Sequence, residues 1–131
     1  MKRILLSEPI DRAGMAYLEN KADVVVSPDS SAHSVGKLMQ DVDALIVRTA
    51  TRITREMIAG AGRLKVISRT GGGLNNVDVD AATDCGVVVC GVKGVQDRSV
   101  AEHAIFMMGA LARPFKLPSP TNLPWKLSIA I

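Results

Sequence analysis

Five short apolar runs recur along the chain: Arg3–Ser7 (RILLS), Asp23–Ser27 (DVVVS), Ala44–Arg48 (ALIVR), Lys65–Arg69 (KVISR) and Val87–Cys90 (VVVC). They are rich in Val and Ile and do not alternate cleanly with polar residues, as expected of strands buried on both faces. The segments between them have helical spacing and helix punctuation. DRAGMAYLEN places Ala13, Tyr17 and Leu18 on one face. SSAHSVGKLMQ offers Ser30 or Ser31 as a cap, and TREMIAGAG starts on Thr54 and ends in glycines. DVDAATDCG starts on Asp78 and ends on Gly86, a residue suited to closing a helix.

Strand and helix thus alternate, which predicts an α/β fold with a parallel sheet and helices on both faces. Five strands fit a flavodoxin-like, doubly wound sheet of order 2-1-3-4-5, whose ligands sit outside the carboxyl ends of the strands. Three groups fall at that edge: Ser7–Glu8, Arg48–Thr49 and Gly71–Gly73. A further helix is expected over 99–113, with Ser99 and Glu102 as a capping box. Val100, Ala104, Ile105, Phe106, Met107, Met108 and Leu111 make it apolar nearly all round, so it requires cover on more than one side. Residues 114–131 form a proline-rich tail, with four prolines between Pro114 and Pro124, and this span cannot be helical.

Composition narrows the classes of function. The 131 residues are 47% apolar, enough for one globular domain. Only 3% are aromatic, and the lysines and arginines behind the net charge of +3 are scattered. That leaves no stacking platform or basic stripe for nucleic acid. No apolar run is long enough to cross a bilayer. Cys85 and Cys90 fit neither a metal spacing nor a disulfide framework, and no metal site is expected. A reducing cytoplasm is the expected location.

The candidate chemistry centres on Gly71–Gly73. G-x-G-x-x-G would need glycine at position 76, which is Asn76, so this is not a dinucleotide fingerprint. Two readings stand: a turn requiring positive φ, or bare N–H groups approaching a small anion. Arg48 at the same edge favours the second, because its planar fork suits a carboxylate or phosphate and Thr49 adds a hydroxyl. His33 and His103 read as surface residues, and Cys90 as a small buried hydrophobe. A receiver-type signalling domain would need aspartate where Arg48 stands, which excludes that reading.

The segments ALIVRTATRITREMI, LKVISRTGGGLNNVDVDAATDCGVVVC and RSVAEHAIFMMGALAR, in this order, resemble the substrate-binding domain of the D-isomer-specific 2-hydroxyacid dehydrogenases. The resemblance spans Lys2–Arg113 and assigns 1–113 to that domain. It implies hydride transfer between a phosphoglycerate-like D-2-hydroxy acid and NAD. Arg48, Thr49 and Gly71–Gly73 match substrate-binding positions. Gly72 and Val100 match positions beside the nicotinamide, and Gln96 stands where the family often has a polar Asn. Gly73-Leu74-Asn75-Asn76 replaces the usual G-L-D-N, and Gly91 and Lys93 stand at the family's Asn and Pro. The family's nucleotide-binding domain and its catalytic Arg, Glu and His have no counterpart in these residues. The implied function is substrate binding without turnover by this chain alone, with a small 2-hydroxy or 2-oxo acid as ligand. A homodimer through Ser99–Arg113 and the tail is expected. The alternative is a non-catalytic anion-binding or interaction module on the same fold.

Overall fold

The computed structural model describes residues 1–112, in two compact units, Met1–Gln96 and a second that begins at Asp97. In the first unit β1 (Arg3–Leu6), β2 (Asp23–Val26), β3 (Ala44–Val47), β4 (Val66–Arg69) and β5 (Val88–Gly91) alternate with α1 (Arg12–Glu19), α2 (Ala32–Met39), α3 (Arg55–Gly60) and α4 (Val79–Asp84). All neighbouring strands are parallel, in the order β2-β1-β3-β4-β5. This is the expected doubly wound sheet. Right-handed crossovers put α1, on the path toward β2, on one face and α2, α3 and α4 on the other. α2 packs beside α3, and α3 beside α4.

The register explains which face carries the core. Val25, Leu5, Leu45, Ile67 and Val89 lie side by side in one row. Leu5, Leu45 and Ile67 are fully buried, with Val35 and Met39 of α2, Ile58 of α3 and Ala81 and Ala82 of α4 in the same cluster. Each large aliphatic side chain removed from water there stabilises the fold by roughly 1.5–3 kcal/mol. The opposite row runs Val26, Leu6, Ile46, Ser68, Cys90 and grows polar toward β5. Leu6 is buried, but Cys90 and Val88 are exposed. Burial on both faces, expected for every strand, therefore fails at β5, and Cys90 is not the buried hydrophobe expected of it.

Helix punctuation follows local chemistry. Asp11, Ser31 and Asp78 accept hydrogen bonds from the N–H groups of Ala13, Ser34 and Ala81, each satisfying a donor that its helix cannot. Thr54 caps α3 by position, without a side-chain bond. Gly86 follows α4 with φ of 68°, a conformation that strongly favours glycine. On α1, Tyr17 is 63% exposed, with the Lys21 ammonium 5.0 Å from its ring centroid.

The second unit contains α5 (Asp97–Ala112). It begins two residues before the expected cap, so Ser99 lies inside the helix and Glu102 does not close a capping box. Glu102 instead accepts from Arg98 Nε at 2.8 Å, one turn away on the helix surface. No side chain of α5 is buried, and Val100, Ile105, Phe106, Met108 and Leu111 are all exposed. The expectations for Arg113 and for the tail at 114–131 lie outside the described residues.

Candidate functional site

In a sheet of this order the winding reverses between β1 and β3, and the crevice outside their carboxyl ends is where ligands bind. Three buried polar residues shape the loops there. Ser7 Oγ accepts from Arg48 N–H at 3.2 Å. Ser27 Oγ donates to the Asp29 carbonyl at 2.6 Å, and Thr51 Oγ1 donates to the Ser30 carbonyl at 2.8 Å. Hydroxyls survive burial here because each is bonded to backbone. Asp29 is held below the ordinary carboxylate range chiefly by hydrogen bonds from Ser31 and Ser34. Glu56 is lowered by a hydrogen bond from the Thr54 side chain. The starts of α2 and α3 thus carry fixed negative charge beside these loops.

Arg48 leaves β3 at the expected edge. Its Nη1 donates to the Pro9 carbonyl at 3.2 Å and stands 3.8 Å from Glu8 Oε2. Glu8 Oε1 also accepts from Ala50 N–H at 3.3 Å, so one carboxylate spans the Arg48 turn. Arg48 lines a cavity of about 410 Å³ with Pro9, Ile10, Asp11, Gly14 and Thr70. Thr49 lines a different cavity of about 240 Å³, with Ala50, Arg52, Arg69, Asn75 and Asn76. The structure therefore divides the expected Arg48–Thr49 pair between two neighbouring recesses.

Gly71–Gly73 line neither recess, although Arg69, Thr70 and Asn75 on either side of them do. None of the three has positive φ, so the turn reading is corrected. Gly71 is buried beside the Arg69 side chain: a Cβ there would come within 2.6 Å of Arg69 Nη1. Among the described residues none of the three N–H groups donates to another part of the chain, which leaves three consecutive donors at the sheet edge. Gly91 lets this loop sit close, since its missing Cβ would lie 3.3 Å from both the Gly71 carbonyl oxygen and Leu74 Cδ2. Val92 N–H then donates to the Gly71 carbonyl at 3.2 Å. Gln96 is exposed and lines neither cavity, and Val100 lies on α5 in the second unit.

Arg69, Arg52 and Asn76 are site residues that sequence reasoning missed. Arg69 closes a buried strand just as Arg48 does, and the argument that singled out Arg48 applies to it unchanged. Its Nε is buried without a hydrogen-bond partner among the described residues, as is Asn76 Oδ1. The guanidinium groups of Arg48, Arg52 and Arg69 and the unspent backbone donors are groups whose chemistry suits anions. Neither cavity is lined by a histidine. Among the described residues no group of His, Cys, Asp or Glu could hold a metal ion, and no helix is long and apolar enough to cross a membrane.

Known proteins resemble this chain in sequence and fold. D-3-phosphoglycerate dehydrogenase 2, chloroplastic, of Arabidopsis thaliana is 41% identical over 112 residues, which is 85% of this chain and 18% of that protein. Hydroxypyruvate reductase of Thermotoga maritima is 37% identical, over 85% of this chain and 37% of that one. The NAD+-bound 3-phosphoglycerate dehydrogenase of Entamoeba histolytica superposes with a TM-score of 0.69 at 28% identity, covering 82% of this chain and 38% of that one. The chain thus spans well under half the length of each. Residues 4–119 match the sequence model of the D-isomer specific 2-hydroxyacid dehydrogenase catalytic domain, and the chain belongs to that family.

Proposed function

We propose that this chain is the substrate-binding part of an NAD-dependent D-2-hydroxyacid dehydrogenase and that it takes a phosphoglycerate-like acid. The observation that carries the reading is the pair of recesses, each lined by arginine, at the carboxyl edge of the sheet. A ligand with a carboxylate and a phosphate suits two guanidinium sites better than one, because each fork can bind one anion bidentately. Arg48, with the N–H groups of Gly71–Gly73, holds the carboxylate end, and Thr49 lies on the side of the smaller recess. Arg69 and Arg52 face the second anion. NAD, when bound, supplies the hydride acceptor. Gly72 leaves room for a ring edge, since a Cβ there would meet nothing nearer than the Val92 carbonyl oxygen at 3.6 Å. Gln96 and Val100 complete this assignment from the resemblance alone.

Neither recess is lined by a histidine, and the carboxylate of Asp11 is engaged in capping α1, which supports an acid–base group supplied from outside these two cavities. The 131 residues alone are expected to bind the acid without turning it over. The exposed apolar side chains of α5 favour pairing with a second copy of the chain, and the two free cysteines suit a reducing cytoplasm.

Titration of the chain with D-3-phosphoglycerate, D-glycerate and D-lactate, followed by amide chemical shifts, tests the reading. Phosphoglycerate should bind most tightly, with shifts at Arg48, Thr49, Arg52, Arg69 and Gly71–Gly73. Equal affinity for all three acids, or shifts elsewhere, would remove the phosphoglycerate assignment.

A further inference from the structure

We propose that Asn76 is the positioning residue of the anion site, and that its side-chain amide sets the direction of the backbone N–H donors of Thr49 and Arg52. The inference rests on the substrate-binding reading above. Asn76 Nδ2 donates to two carbonyl oxygens, those of Arg48 and Thr51, each at 2.9 Å. Both amide hydrogens are therefore spent on one short segment that lies 25 to 28 residues earlier in the chain. The two acceptors also settle the orientation of the amide, because only an NH2 group can serve two carbonyls. Backbone closes the junction: Ile53 N–H donates to the Asn76 carbonyl at 2.8 Å, and Asp78 N–H donates to the Ile53 carbonyl at 3.0 Å. Ile53 and Val77 form an isolated parallel bridge.

This clamp has a directional consequence. A trans peptide is planar, with its C=O and N–H pointing opposite ways. Holding the Arg48 carbonyl against Asn76 turns the Thr49 N–H away from it. Holding the Thr51 carbonyl does the same for the Arg52 N–H. Among the described residues neither N–H donates to another part of the chain. Thr49 and Arg52 both line the smaller recess, so their donors stay unspent at the site. The preceding peptide, Val47–Arg48, is held by Ser7, whose Oγ accepts from Arg48 N–H. Asn76 thus joins the loop after β4 to the loop after β3, and Ser7 joins the latter to β1.

The test uses the full chain. In the ligand-free protein, Asn76→Leu keeps volume, adds no charge and removes both donors. The carbonyl carbon resonances of Arg48 and Thr51 should move upfield, together with the Thr49 and Arg52 amides. D-3-phosphoglycerate should then bind about tenfold more weakly, the scale of losing two modest hydrogen bonds. Asn76→Ser, with one donor, should fall between, and it carries the comparison if Asn76→Leu does not fold. Ile58→Val, which weakens the core without touching the loops, should leave shifts and affinity unchanged under native conditions. Unmoved carbonyls, or moved carbonyls with unchanged affinity, would overturn the proposal. If the unsubstituted chain binds no phosphoglycerate, the substrate reading falls, and the ligand-free shifts alone decide the role of Asn76.

Discussion

Arg48 and Glu8 form a loose pair across the reversal point of the sheet, with guanidinium and carboxylate 3.8 Å apart and the arginine side chain half exposed. The arginine that would receive a substrate carboxylate already faces a carboxylate of its own. Such rim pairs stabilise by roughly 0–1 kcal/mol, so an incoming anion can displace this one easily. Glu8→Gln keeps an acceptor for Ala50 N–H and removes the competing charge. Affinity for D-3-phosphoglycerate should rise by up to about fivefold, the equivalent of 1 kcal/mol. The gain should shrink at molar salt, where the Debye length falls to about 3 Å. Calorimetric titration at low and high salt checks both. Unchanged or weaker binding would show that Glu8 does not compete.

Arg48 and Arg69 should separate by ligand. Truncating one partner of a buried charge pair costs about 2–5 kcal/mol, and much less at an exposed rim. Arg48 is at the rim, whereas Arg69 has a buried Nε. Arg69→Ala should therefore cost more affinity for phosphoglycerate than Arg48→Ala, and it should leave binding of D-glycerate, which lacks the phosphate, nearly unchanged. Parallel losses for both acids in both variants would contradict the assignment of two anion sites.

Acid should weaken the fold through Asp43. Its carboxylate accepts from Arg3 N–H at 2.9 Å and pairs with Lys2 and Arg63, each at 3.3 Å. The hydrogen bond from Arg3 is the first cause of a folded-state pKa below the ordinary aspartate value. A depressed carboxylate contributes stability that is fully present above its unfolded pKa, about 3.9. That contribution is lost as pH falls through the lower folded value. Denaturant unfolding between pH 6 and about pH 2 should show a drop that is shallower in Asp43→Asn. Identical pH profiles would remove Asp43 from the account.

Sedimentation of the chain at micromolar concentration should show a dimer, because α5 exposes Ile105, Phe106, Met108 and Leu111 together. Burying each of these side chains against a partner gains roughly 1.5–3 kcal/mol before the cost of association. Phe106→Asp should shift the mass toward monomer without changing the thermal stability of the sheet. A monomer for the unsubstituted chain would end this proposal.

The sequence by itself determined the elements and their order. Runs such as ALIVR read as strands, because they are short, rich in branched side chains that pack well on a pleated surface, and separated by segments with helical punctuation. Asp78 and Gly86 mark the two ends of α4, since capping depends on residues within one turn. The parallel order then follows from chain connectivity and handedness. The expected site was legible only in outline, as Arg48, Thr49 and the glycines. Tertiary structure decided that Arg48 turns to Glu8 and Pro9, that Thr49 shares its recess with Arg52 and Arg69, and that Asn76 holds the Arg48 and Thr51 carbonyls. It also placed Ser99 inside α5 and left Cys90 exposed. The hydrogen bonds of Arg48 and Asn76 join residues 25 to 39 positions apart, and a local pattern carries no information on which side chain will reach across a sheet edge. That depends on strand register and loop path, which exist only once the whole sheet has assembled.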